Sequence, residues 1–346
     1  MGSSLVGRGK KRGTAMIAAL ACLLGAAFLI SFTQGKYPLT LDETLHIISH
    51  YLFGGEAAYA HASETVFLRV RLPRLCACVF VGAALSAAGA VYQGIFRNPM
   101  ASPDLLGASS GASLGACCAI LVGAPALAMH MTAFAMGLAA VGLTFLVSRL
   151  VDRRGNQTLT LVLTGMVVSS LLNAGVSITK TLADTDDKLG EITFWLMGSM
   201  THMTLDTLPV LILPILLGLI PIVLLRYKLN VLSFGDDEAR TMGLNAPALR
   251  GVLIVCSTLL TSASVAACGM VGWVGLLIPH LIRMIVGPDY RYLIPGSMLA
   301  GALFLLLVDN ISRVFCQVEI SIGILTALIG APFFLILLAR GRKGWL

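Results

Sequence analysis

Charge is what this sequence has least of. Asp, Glu, Lys and Arg make up 12% of its 346 residues, about half the share in a soluble globular domain. That excludes a water-soluble enzyme of this length. No heptad or collagen period is present, and high apolar content excludes disorder. No alternating segments of about ten residues occur, so a β-barrel is excluded as well. No G-x-x-x-x-G-K-[ST] run exists to cradle a nucleotide phosphate, and no H-E-x-x-H or C-x-x-C exists to hold zinc. The six histidines (46, 50, 61, 130, 202 and 280) are scattered, so a metal site of several protein ligands is not expected. His280 follows Pro279 within an apolar run, where a structural hydrogen bond or a ligand contact are both open. The eight cysteines (22, 76, 78, 117, 118, 256, 268 and 316) lie in or beside apolar runs and read as small buried hydrophobes.

What is present is apolar length. Hydrophobic residues reach 57% and mean hydropathy is +0.89, values of an all-α polytopic membrane protein. Ten unbroken runs read as spans, at about 14–33, 75–95, 105–124, 126–148, 159–179, 206–225, 249–268, 272–286, 292–309 and 320–339. The first is too long for a signal-peptide core, and no small-residue cleavage site follows it. With the N-terminus inside, 17 of the 24 Lys and Arg residues fall in inside segments. The positive-inside rule therefore predicts both termini in the cytoplasm. The net charge of +7 follows from these clusters and is no sign of nucleic-acid binding.

Two stretches between spans are more than loops. In the external segment 36–70, Thr40-Leu-Asp-Glu43 is a capping box ahead of Leu45, Ile48 and Leu52, which predicts a short helix on the outer membrane surface. In the inside loop 226–250, Asp236, Asp237, Glu238, Ala239 and Arg240 precede Gly243, which predicts a short helix that stops and turns. Gly107, Gly111 and Gly115 in span three form a double G-xxx-G, a smooth face for helix packing. No Asp, Glu, Lys or Arg falls near the middle of any span, so a proton relay has no obvious carrier. Asp309 and Glu319 lie near the outer ends of spans nine and ten. So do Arg69, Arg71, Arg74 and Arg313, against the positive-inside pattern; Pro73 suits the first turn of span two. Headgroup anchoring by snorkelling and docking of an acidic external partner both explain the arginines. A solitary ion-coupled carrier lacks its mid-membrane carboxylate, and an intramembrane enzyme lacks a paired catalytic set.

Several blocks carry a resemblance. Arg71-Leu-Pro-Arg74, Gly82-Ala-Ala-Leu-Ser-Ala-Ala-Gly89, Gln93, Asn98-Pro99, Pro103, Leu105-Leu-Gly107 and Ser110-Gly-Ala112 are followed by Phe194-Trp-Leu-Met-Gly198, Gly275-Leu-Leu-Ile-Pro-His280 with Arg283, and Gly330-Ala-Pro-Phe333. In this order they resemble the FecCD/BtuC-type permeases of ABC importers. The likeness covers nearly all of the chain beyond residue 60.

The resemblance implies one transmembrane permease domain over 1–346, with 1–13 its cytoplasmic N-terminus and ten helices in a BtuC-like bundle. It implies a bacterial cytoplasmic-membrane location and pairing with a second copy or close paralogue. Two ABC ATPase subunits, which bind the ATP and magnesium, and an external substrate-binding protein complete the assembly; this chain holds no cofactor. Cargo would be an iron–siderophore complex, haem or cobalamin, with Phe194-Trp-Leu-Met-Gly198 nearer the siderophore branch. Residue by residue, Arg71, Arg74 and Arg313 correspond to binding-protein docking positions. Asp236, Asp237, Glu238, Ala239, Arg240 and Gly243 correspond to the ATPase coupling segment. Asn98, Met100, Gln157 and Thr158 correspond to a cytoplasmic gate, and spans five and ten to the lining of the path. One departure is Ser321 in Glu319-Ile-Ser-Ile-Gly323, where the family usually has proline, which implies a less kinked start to span ten.

Overall fold

The computed structural model describes residues 2–54, 59–151, 157–184, 187–314 and 319–341. Fourteen α-helices account for most of them: α1 Gly2–Ser31, α2 Leu41–Phe53, α3 His61–Thr65, α4 Leu72–Ile95, α5 Ala108–Leu121, α6 Ala126–Val151, α7 Gln157–Leu182, α8 Lys188–Leu196, α9 Leu208–Phe234, α10 Asp236–Thr241, α11 Ala246–Cys268, α12 Val274–Val286, α13 Tyr290–Val314 and α14 Ile322–Gly341. Seven helical stretches are long and apolar enough to cross a membrane, and α5, α12 and α14 are shorter apolar helices. Each of the ten apolar runs thus coincides with one helix of a multi-pass bundle. The expected capping box is formed: Thr40 Oγ1 accepts from the Glu43 backbone N–H, and Glu43 accepts from that of Thr40 at 3.0 Å.

The stretch His61–Ile95 is the hub, with 83% of its apolar window buried, against 6% for α1. It packs against α9, α11, α12 and α13. Small residues make this possible. A Cβ on Gly82 would collide with the Gly301 carbonyl of α13, and one on Gly89 with the Gly275 carbonyl of α12. Backbones approach this closely only where side chains are absent.

Three expectations change. Span two does not begin near residue 75: α3 runs through a π-helical segment, Val66–Arg71, straight into α4. Pro73 therefore stands inside a continuous helix, where the widened π turn absorbs its missing N–H. Spans three and eight are not full crossings, since α5 has 14 residues and α12 has 13, about 20 Å each against a 30 Å core. Irregular backbone completes them. The 3₁₀ turn Pro103–Leu106 folds back so that the Leu105 carbonyl abuts Gly165 of α7, about 12 Å along that helix from its start. Asp104 in this turn is exposed, its carboxylate accepting from the Ser102 and Ser109 hydroxyls. Finally, α9 continues nine residues beyond the expected end at 225, so the first part of the 226–250 segment is helix. Helix α8 was not expected at all.

Candidate functional site

The two ends of the bundle carry the candidate residues. At one end, α1 stops beside the arginines. Arg74 and Arg313 are 6% exposed, Arg71 4%, and Asp309 between them is fully buried. Arg74 Nε donates to Asp309 Oδ1 at 2.8 Å and its Nη1 to Glu319 Oε2 at 2.9 Å. Arg313, one turn on from Asp309 along α13, holds Oδ2 at 2.9 Å. It also donates to the Gln34 carbonyl at 2.8 Å and to the Asn310 side chain. Arg71 meets no carboxylate among the described residues; its guanidinium caps the chain leaving α1 by donating to the carbonyls of Phe32 and Tyr37. Thr201 donates to Glu319 at 3.0 Å. Burial alone would raise the pKa of Glu319, but the Arg74 charge and these hydrogen bonds outweigh it and hold the value below 4.5.

The arginines are thus brought together as expected, but as cross-braces rather than open surface. Three guanidinia share two carboxylates and several carbonyls, tying the ends of α1, α4 and α13 to the chain entering α14. Of the four arginines at this end, Arg69 is the exposed one. Sequence reading placed Asp309 and Glu319 here without pairing them. The i,i+4 spacing of Asp309 and Arg313 was the available signal.

At the opposite end, α9 breaks at Gly235 (φ 139°) and α10 begins. The turn after α10 closes in the left-handed conformation at Gly243 (φ 78°), with Gly243 N–H donating to Arg240 O and Leu244 N–H to Ala239 O. Asn245 then caps α11 by accepting from the Ala248 N–H at 3.1 Å. Ala239 is fully buried against the bundle, while Asp237, Glu238 and Arg240 project outward. The Asp236 side chain lies outside the described residues. This short helix is thus held to the bundle by Ala239 and presents charge on its free side.

Near it, α4 ends and Asn98 Oδ1 accepts from the Met100 N–H at 2.9 Å, leaving the Met100 side chain exposed. Gln157 and Thr158 open α7; their side chains lie outside the described residues. Gly111 and Gly115 do receive a helix: α6 crosses there, with the Thr132 carbonyl 2.6 Å from where a Cβ on Gly115 would stand. Gly107 is not on that face. It is a left-handed turn (φ 89°) ahead of α5, beside Ser169 of α7.

The FecCD transport family matches residues 23–340. The molybdate import system permease protein MolB of Haemophilus influenzae is 38% identical over 327 residues, 94% of this chain and 95% of that protein. The hemin transport system permease protein HmuU of Yersinia pestis is 40% identical over 291 residues, 80% of this chain and 84% of its own. Among solved structures, a metal-chelate type ABC transporter in an inward-facing conformation superposes with a TM-score of 0.85. It is 37% identical and is matched over 94% of this chain and 99% of that one. The chain belongs to the FecCD transport family: it is a membrane-spanning permease subunit of an ABC importer, a transport component whose ATP hydrolysis lies in separate subunits.

Proposed function

We propose that this chain, paired with a second copy or a close paralogue, forms the path for a bulky metal-bearing cargo. An iron chelate, haem or cobalamin would be delivered by a binding protein at the arginine end. Two ATPases, holding the ATP and magnesium, would engage α10 at the other. In this reading the α10 end and both termini face the cytoplasm of a bacterial cell.

The observation that carries it is a stripe on α7. Ser170, Asn173, Ser177 and Thr181 are all exposed along one side, beside exposed Leu171, Ala174 and Ile178. The hydroxyls return their hydrogen bonds to their own helix: Ser170 to Met166 O at 2.9 Å, Ser177 to Asn173 O at 3.1 Å, Thr181 to Ser177 O at 3.0 Å. An exposed asparagine amide facing lipid costs several kcal/mol, so the stripe belongs against a passage or a second copy. A wall of self-satisfied hydroxyls offers a chelate little to grip, which suits passage over capture.

The arginine end reads as the landing for the binding protein, on terms that burial sets. A partner carboxylate must compete with Glu319 for Arg74. The test is reconstitution with the cognate binding protein and ATPases in proteoliposomes, challenged with ferric siderophores, haem, cobalamin and molybdate. ATP-dependent uptake of one metal-bearing cargo is expected, and lowered by Asn173→Leu. Uptake of molybdate alone would replace the chelate reading. Uptake without ATPases would remove the assembly proposed.

A further inference from the structure

The end of α4 closes in a way that favours glycine, and the sequence puts an arginine there. Phe96 N–H donates to Tyr92 O at 2.9 Å, Asn98 N–H to Gln93 O at 3.2 Å and Arg97 N–H to Gly94 O at 3.3 Å. Arg97 takes the left-handed conformation, φ 48°, that helix ends usually assign to glycine because a Cβ crowds the backbone. Among the described residues, Arg97 and Trp273 alone hold a positive φ without being glycine. Strained backbone of this kind persists where the side chain is needed.

The side chain reaches the α9–α10 break. Arg97 Nη1 stands 3.6 Å from the point a Cβ on Gly235 would occupy, and the Glu238 carboxylate of α10 abuts the same point. On its other side Arg97 is followed at once by Asn98 and Met100. One residue therefore lies over the hinge of the ATPase handle and starts the gate loop.

We propose that Arg97 is a positioning residue that passes movement of α10 to the loop 98–101, its guanidinium registering the Gly235 hinge and Glu238 while its strained backbone sets the angle of the loop. This rests on reading α10 as the coupling segment. The two exposed side chains approach one point without forming an ion pair, so the approach serves position and not folding.

The test uses the whole importer in proteoliposomes. Arg97→Gly removes the side chain and relieves the backbone, so thermal stability should hold or rise and the ATPases should still co-purify. ATP hydrolysed per cargo transported should nevertheless rise at least about fivefold, the low end of typical site-to-site coupling. Arg97→Glu should uncouple likewise, and Arg97→Glu with Glu238→Arg should recover most of the ratio. An unchanged ratio in Arg97→Gly overturns the proposal. So does loss of the ATPases in that variant, which would make Arg97 an ordinary contact. Charge reversal at Asp237 and Arg240 on the free face of α10 checks the reading beneath. If it leaves ATPase assembly intact, the coupling role of α10 falls and takes this inference with it.

Discussion

Replacing Asp309 by asparagine should be among the most damaging single changes at the arginine end. The carboxylate is fully buried, with Arg74 at 2.8 Å on one oxygen and Arg313 at 2.9 Å on the other. Removing its charge leaves two guanidinia, each 6% exposed, with a neutral amide oxygen in place of the shared carboxylate, beside Glu319, two neighbouring carbonyls and the Asn310 side chain. Breaking one side of a buried pair costs about 3–5 kcal/mol. A single contact at 4 Å with an effective dielectric of 20 is worth about 4 kcal/mol, so the two routes agree. Glu319→Gln is the control. Its side chain is 31% exposed, water screens the pair, and the loss should be about 1 kcal/mol or less. Unfolding in SDS titration, followed by maleimide labelling of buried Cys117 and Cys268, reads both variants on one scale. Asp309→Asn within about 1 kcal/mol of the parent protein, or no more costly than Glu319→Gln, would refute the picture of a buried brace.

The same end makes two further predictions. Glu319 is held below its ordinary pKa of 4.5 in the folded chain, so its stabilisation is complete above 4.5 and is lost as pH falls through the lower folded value. The stability gap between parent and Glu319→Gln should therefore be constant from pH 7 to 5 and close below about 4.5. If an acidic partner competes for Arg74, Glu319→Gln should also tighten binding-protein docking several-fold by titration calorimetry; unchanged affinity would remove Arg74 from the docking surface. In the hub, Gly89→Val should cost at least about 3 kcal/mol, because the obstacle is the Gly275 backbone and cannot turn aside. Gly251→Ala, with open space around its Cβ, should gain up to about 1 kcal/mol in the same SDS titration.

The arginines show how far a sequence reading reaches. Charge at the end of an apolar run marks a functional or structural role, and the residues singled out do converge. Their partners lie far away in sequence: Arg74 meets Asp309 and Glu319 across more than two hundred residues. No local period encodes such a contact. The early start of the second crossing was hidden for a related reason. Residues 61–71 carry Glu64, Arg69 and Arg71, and charged helix reads as loop until its partners are known. Here Tyr51 donates to Glu64, and Arg71 donates to the carbonyls beyond α1.

The sequence by itself determined the membrane class, ten apolar helical segments, the capped helix after α1, the short turn-ended helix near 236 and the family. The first four follow from local composition or spacing, because lipid enforces apolar length and backbone satisfaction segment by segment; the family followed from the resemblance of whole motif blocks. Only the tertiary structure decided that two of the apolar helices fall short of a full crossing, that the arginines are braced inward, and that Arg97 lies over the α9–α10 break. Those outcomes depend on which helices touch. That is set by glycine-permitted approaches such as Gly82 to Gly301 and Gly89 to Gly275, between residues with no proximity along the chain.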